Sequence, residues 1–277
     1  MMKRIFALLI VSALLMTQFS SCKKDKGDPP VLPPAGSMTI DFSNFDNAGN
    51  AGIGMYSAPI IKGTENSTWQ LAAGAAMLWK VIIYSELAVP VYAFQLTADE
   101  QPVYTDDKTW QWSASTTILN TTYQARLTGQ VKGSSNEWKM YITKEGAGGF
   151  EDFLWLEGNS NPEGTSGQWK LYESPANPVE MVKIDWTAEA GKTVSVKYTF
   201  TKAGNSFGGS NIEYGVTQNS LNAYYSIYYY NSSTAEFFEM DVEWSSTLKN
   251  GRVKCLKFFG DSNWHCWDSN YLNCDCD

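Results

Sequence analysis

From residue 108 onward, apolar and polar residues alternate in short runs, the period of a half-buried β-strand. Such runs fall at 108–115, 122–132, 137–144, 152–157, 168–173, 179–187, 193–202, 211–217, 223–230, 236–245 and 252–259. Most are one-sided. Tyr123, Ala125, Leu127 and Val131 oppose Gln124, Arg126, Thr128 and Gln130. Val194, Val196, Tyr198 and Phe200 oppose Ser195, Lys197, Thr199 and Thr201; Phe238, Met240, Val242 and Trp244 oppose Glu239, Asp241 and Glu243. One face of each strand therefore meets a core and the other meets water. Turn residues separate the runs, as in Gly133-Ser-Ser-Asn136 and Lys249-Asn-Gly251, and short links favour antiparallel neighbours. So many strands in series expose long edges unless the sheet closes or folds over. The pattern predicts a mainly β protein, an antiparallel up-and-down meander forming a barrel or a strongly curved sheet. A two-sheet β-sandwich is the alternative.

Upstream the period changes. Ser67-x-x-Gln70 reads as a capping box, and Leu71, Ala75, Leu78 and Ile82 follow at helical spacing. Trp69, Met77, Trp79 and Ile83 fill the other faces, so this helical segment, near 67–96, must be buried. It is expected in the barrel mouth or groove. Lys80, Ser85 and Glu86 argue against a membrane span. Pro90 ends or kinks the helix and can start a second one through Gln95. Met38 to Phe42 alternates as a short strand does, and 44–54 reads as loop. The segments Asn136-Glu-Trp138-Lys-Met140-Tyr141 and Gly167-Gln-Trp169-Lys-Leu171-Tyr172 echo each other, which generic strand composition explains.

The first residues are of another kind. Lys3 and Arg4 precede an apolar run, Ile5 to Met16, and Phe19-Ser20-Ser21-Cys22 ends it in small residues and a cysteine. The run is shorter than the roughly 20 apolar residues of a membrane span. Lys23 to Pro34 is charged and then proline-rich, the composition of a spacer. The organisation read here is a signal peptide at 1–21, a lipid anchor and Pro-rich tether at 22–37, and a single β-rich domain at 38–277. An ordinary signal peptide with a chance cysteine is the alternative. The first 34 residues resemble lipoproteins of Bacteroidetes bacteria, with a signal ending in Ser-Ser-Cys before a charged, proline-rich tether. Phe19 departs from the aliphatic residue usual there. The tail Asp261-Ser-Asn-Trp264-His-Cys-Trp267-Asp268 resembles the Cys-Trp-Asp … Cys endings of such lipoproteins. The resemblance implies acylation of Cys22, a membrane as partner through that anchor, and a cell-envelope location as an outer-membrane lipoprotein. Lys23-Lys24-Asp25-Lys26 lacks the acidic start of surface-exported relatives, so the membrane face stays open.

Removing Lys3 and Arg4 takes the basic residues from 21 to 19 against 29 acids, a net charge of −10. An acidic chain without a basic cluster is a poor nucleic-acid partner. Four cysteines, Cys255, Cys266, Cys274 and Cys276, lie near the C-terminus. In an oxidising compartment they read as two disulfides. Cys274 to Cys276 is too close, which leaves 255–274 with 266–276, or 255–276 with 266–274. A zinc site is the rival, but Cys274-Asp-Cys276 lacks the usual spacing. The sole histidine, His265, lies inside the expected disulfide loop, where a structural role is expected. Glu151, Asp152 and Asp185 are visible acids, and Glu239, Asp241 and Glu243 line one strand as a solvated face does. No phosphate loop, dinucleotide fingerprint or calcium loop is present, so no catalytic residue, metal or cofactor is assigned. The 11 Trp, 15 Tyr and 13 Phe exceed what a small core needs. Trp110 and Trp112 share one strand face, as do Tyr224, Tyr228 and Tyr230. These are the candidate ligand-binding residues, with cross-strand packing as the plainer explanation. The expected function is a non-enzymatic, lipid-anchored module binding an apolar or lipid-like ligand. The alternatives are a surface glycan-binding protein, a hydrolase whose acids converge in a cleft, or a structural envelope component.

Overall fold

The computed structural model describes residues 26–46, 63–118, 120–202, 207–231 and 234–276. The signal at 1–21, the acylation site Cys22 and most of the loop at 44–54 lie outside these residues. The alternating region forms β1 (Val103–Tyr104), β2 (Thr109–Ile118), β3 (Thr121–Lys132), β4 (Ser135–Lys144), β5 (Phe150–Ser160), β6 (Ser166–Ser174) and β7 (Asn177–Glu189). It continues through β8 (Lys192–Phe200), β9 (Asn211–Val216), β10 (Ala223–Asn231), β11 (Glu236–Trp244), β12 (Gly251–Lys254), β13 (His265–Trp267) and β14 (Asn273–Cys274). Each strand pairs antiparallel with its neighbours in sequence, in one 14-stranded sheet. The meander is as expected. The sheet does not close, and it is one sheet rather than two, so neither a sealed barrel nor a sandwich forms.

The sheet is curled rather than flat. The helix α1 (Ser67–Ala98) packs on β2 and β3 at one end of the sheet and on β12, β13 and β14 at the other. At ~4.8 Å per strand, a flat sheet would separate β2 from β13 by roughly 50 Å. The helix bends by 72° between Ser67–Ser85 and Leu87–Ala98. At 1.5 Å per residue its ends are then roughly 38 Å apart. Both sheet ends can reach it only if the sheet wraps around it. The bend sits where Pro90 has no N–H to give the carbonyl of Glu86 and crowds it. Pro90 therefore kinks the helix, which continues to Ala98 instead of ending.

Before the kink the helix is buried nearly all round. Leu71, Ala72, Ala73, Ala75, Ala76, Trp79, Ile82 and Ile83 are all core residues, and the alanines let the backbone approach closely. The capping box does not form. The N-cap residue is Asn66, and it makes no side-chain cap bond. The tail supplies the cap instead. The Thr68 amide donates to Asn273 Oδ1 at 3.1 Å, and Asn273 Nδ2 donates to the Thr64 carbonyl at 2.8 Å.

A second layer was hidden in the expected tether. Pro30, Pro33, Ser37 and Met38 are buried, so the chain packs into the domain from Pro30 rather than from residue 38. Residues 30–46 form a strap across the concave face, perpendicular to the strands. Pro30 lies by Gly129 on β3, Ser37 by Trp169 on β6, Met38 by Tyr198 on β8, Asp41 by Tyr225 on β10, and Phe45 by Trp244 on β11. Ala35–Met38 is a 3-10 turn, and the expected strand at Met38–Phe42 has no ladder. Met38, Ile40 and Phe42 alternate inward as a strand would. Tyrosine hydroxyls satisfy their backbone: Tyr198 donates to the Met38 carbonyl, and Tyr225 to that of Asp41 at 2.5 Å.

Under both layers, large side chains of the inner sheet face cross over glycines on neighbouring strands. A Cβ on Gly129 would lie 2.4 Å from the Trp138 ring, and one on Gly158 would lie 2.4 Å from that of Trp169. Only glycine allows the indoles to lie flat there. The Trp138 and Trp169 echo thus marks two equivalent inward positions. At the far end, the expected strand at 252–259 is β12 followed by a one-turn helix, α2 (Leu256–Phe259), which Gly260 ends with φ of 84°. The strands β1, β13 and β14 were too short to show a period.

Candidate functional site: an apolar cavity beneath the kinked helix

The two inner layers do not cover the whole concave face. Between the strap, the second half of α1 and strands β2–β4 lies a half-open cavity of about 530 Å³. Its floor is Ala114 and Thr116 of β2, Tyr123 and Ala125 of β3, and Ile142 of β4. Ala114, Ala125 and Ile142 are direct cross-strand neighbours. Two residues along each strand, the same face carries Trp112, Leu127 and Met140, all fully buried. The step from large side chains to two alanines opens the space. Met38, Ile40 and Phe42 of the strap form one wall; Ile83, Leu87 and Val91 of α1 belong to the other. Both arms of the bent helix reach the cavity, Ile83 and Tyr84 before the bend and Leu87, Val91 and Leu96 after it.

Among the described residues, the lining carries no charged side chain. Its polar groups are hydroxyls and an amide: Thr39, Thr116, Tyr84, Tyr92, Tyr123 and Gln95. A site of this size and character suits an apolar ligand held by contact area and oriented by a few polar groups. On the other side of the sheet, Arg126, Gln124, Tyr141, Thr143 and Asp152 surround a separate polar hollow. Arg126 donates to both Asp152 oxygens at 2.7 Å and lies over the Tyr141 ring at 4.3 Å. Its charge is spent within the hollow.

The five aromatic candidates do not form one site. Trp110 and Trp112 lie on the inner face of β2; Trp112 is fully buried against Trp138 and Trp110 packs on Tyr104. Tyr224, Tyr228 and Tyr230 lie on the outer face of β10. Tyr224 covers Gly215 and donates to Glu213 at 2.8 Å; burial and that carboxylate push its phenol up to about 12. Tyr228 stacks on Phe237 at 4.5 Å, and Tyr230 packs against the same ring at 4.8 Å. Sequence reasoning placed weight on aromatic rows and missed the cavity, whose signal was the pair of small residues at inward positions 114 and 125.

Three of the acids named from the sequence are held in ion pairs at the surface. Asp241 pairs with Lys254 at 3.5 Å, Glu243 with Arg252 at 2.6 Å, and Asp185 with Lys183 at 3.0 Å. Among the described residues, no three His, Cys, Asp or Glu side chains gather as a metal site. His265 stacks on Phe259 at 3.6 Å and hydrogen-bonds Asp261 at 3.0 Å, the structural role expected of it. Cys266 and Cys276 form a disulfide across the tail. The second expected bridge is not formed. Cys255 is a buried thiol at the end of β12, and burial raises its pKa. Cys274 lies opposite Cys266 in the β13–β14 register. Compared with protein-family models, with curated proteins and with solved structures, the chain matches none.

Proposed function

We propose that this protein is a non-enzymatic, lipid-anchored module of the cell envelope that holds an apolar, lipid-like molecule in the cavity beneath α1. The observation that carries the reading is the cavity itself: about 530 Å³, lined among the described residues by apolar and uncharged side chains, inside a sheet otherwise tightly packed. An acyl chain of about 12 methylenes would gain roughly 10 kcal/mol from burial before the costs of binding. The acyl anchor at Cys22 and the outer-membrane location rest on the sequence of residues 1–34. The buried helix does not fill the space: around its bend it forms one wall of the cavity.

The test is mass spectrometry of organic extracts from the mature protein purified out of its native envelope. A stoichiometric apolar molecule supports the reading and identifies its class. An empty protein that binds no fluorescent fatty acid or phospholipid overturns it. In the same assay Ala114→Phe should weaken binding at least tenfold with little change in the thermal midpoint. A glycan-binding reading keeps one supporting feature, the outer-face cluster of Tyr228, Tyr230 and Phe237, with Phe237 43% exposed. Its rings cover one another, and Trp112 cannot join them.

A further inference from the structure

Around the kink, on both arms, α1 shows apolar residues to solvent. Val81 is 59% exposed, Tyr84 62% and Tyr92 44%, and Ala88 and Val89 are exposed between them. Val81 and Tyr84 precede the bend and Ala88, Val89 and Tyr92 follow it; Tyr84 meets the last three at one cavity rim, so the exposed residues form one stripe across the kink. A soluble surface scatters such residues singly, and a contiguous apolar stripe marks a contact site. The stripe carries two tyrosines, the side chain that sits at lipid–water boundaries with its hydroxyl in water. Lys80, at the margin, is turned to Asp46 and lies 6.0 Å from the Tyr84 ring. Four stripe residues, Tyr84, Ala88, Val89 and Tyr92, also form the rim of the cavity.

The chain's own route points to what covers the stripe. The strap docks from Pro30, so at most eight peptide steps separate Cys22 from the folded body, about 28 Å fully extended. Lys26 lies over Tyr104 at 5.3 Å, on β1. The chain therefore leaves the body at the β1–β2 edge, against which the second half of α1 packs. An acylated Cys22 would hold that edge close to the bilayer.

We propose that the exposed stripe Val81–Tyr84–Val89–Tyr92 is a membrane-docking face that rests on the lipid surface and opens the cavity rim toward it. The contact is apolar and does not depend on anionic lipid, because the stripe presents no basic cluster and the mature chain is acidic. It also does not require the cavity to be occupied.

The mature chain from residue 22, carrying Cys22→Ser so that no acyl group intervenes, is floated with phosphatidylcholine vesicles at physiological salt. It should float, and Val81→Glu or Tyr84→Glu should reduce the bound fraction at least tenfold with an unchanged thermal midpoint. Tyr84→Ser and Tyr92→Ser serve if a charged variant fails to fold. Leu248→Glu, at an exposed apolar position elsewhere, should have no effect. Val81 does not line the cavity, so Val81→Glu should leave probe binding intact, while Ala114→Phe should weaken probe binding at least tenfold and leave flotation intact. The two readings thus fail separately. The proposal is overturned if the chain does not float, if the stripe variants float as well as the parent, or if binding needs anionic lipid. It is equally overturned if sedimentation shows that the stripe variants break a dimer, which would make the stripe a contact between two copies.

Discussion

Alkaline pH should loosen the strap, because two buried phenols hold it. Tyr198 and Tyr225 donate their hydroxyls to the Met38 and Asp41 carbonyls. Burial pushes both phenols well above the ordinary value of 10, and the Asp41 carboxylate raises Tyr225 further. The folded values lie above the unfolded one, so their contribution is complete below pH 10 and is lost as pH rises toward the folded values. Above pH 10 the unfolded chain releases a proton from each tyrosine that the folded chain keeps. That costs about 1.4 kcal/mol per pH unit for each, or roughly 2.7 kcal/mol per unit for the pair. Urea unfolding between pH 8 and 11.5 measures this slope. The partly exposed Tyr172, Tyr214 and Tyr224, each pushed to about 12, add a background common to all variants. Tyr198→Phe should therefore cost about 1–3 kcal/mol at pH 8, by leaving a buried carbonyl unpaired. It should also flatten the alkaline slope by about 1.4 kcal/mol per pH unit. A Tyr198→Phe protein with the parent's alkaline slope would refute the assignment of the strap to these hydroxyls.

Three further outcomes are expected. Asn273→Ala should cost about 1–2 kcal/mol as a lost helix cap, and Cys266→Ser with Cys276→Ser should cost about 2.7 kcal/mol by freeing the tail loop. Because the bridge holds the cap, the combined loss in a thermal-melt cycle should be less than the sum, and strict additivity would argue against the coupling. Gly158→Ala should cost about 1–3 kcal/mol by overpacking, since its Cβ would meet the Gln168 carbonyl and the Trp169 ring at 2.4 Å; an unchanged urea midpoint would contradict the close approach. The Asp268 carboxylate accepts the Leu272 and Asn270 amides, which hold its pKa below the ordinary 3.8. Its support of the tail is present above pH 3.8 and fades as pH falls through the lower folded value, so hydrogen exchange at the Asn273 amide should accelerate there and not above it.

The strands from Thr109 to Trp244 were legible because each carries its own evidence: one residue in two faces the core, and the chain need not know what covers it. Closure was not legible. Whether β1 meets β14 depends on what fills the concave face, and that filling comes from residues that read as something else. Pro30, Pro33 and Pro34 gave the composition of a spacer, yet proline in an extended strap loses no ladder bond, because none forms there. Met38–Phe42 had the alternation of a strand, which reports inward and outward positions but not the partner that takes the carbonyls. Asn273 displaced the local capping box at Ser67 because a pinned tail places an amide where both the Thr68 N–H and the Thr64 carbonyl can be met at once.

The same accounting explains why the cavity exists. A one-sided sheet of this width needs cover along its entire inner face, and two layers crossing it in opposite directions provide it. The strap runs from β3 to β11, and α1 runs back from β14 to β2. Where the indole of Trp138 or Trp169 fills the space over a glycine, the layers close on the sheet. At Ala114 and Ala125 the inner face recedes while Pro90 turns the helix, and neither layer can follow. Filling that gap with one larger side chain would have been a small change to a core already rich in tryptophan. The gap instead sits beside the exposed Tyr84, Val89 and Tyr92 of α1, and a void and an exposed apolar rim together are what a lipid-like ligand needs in order to enter.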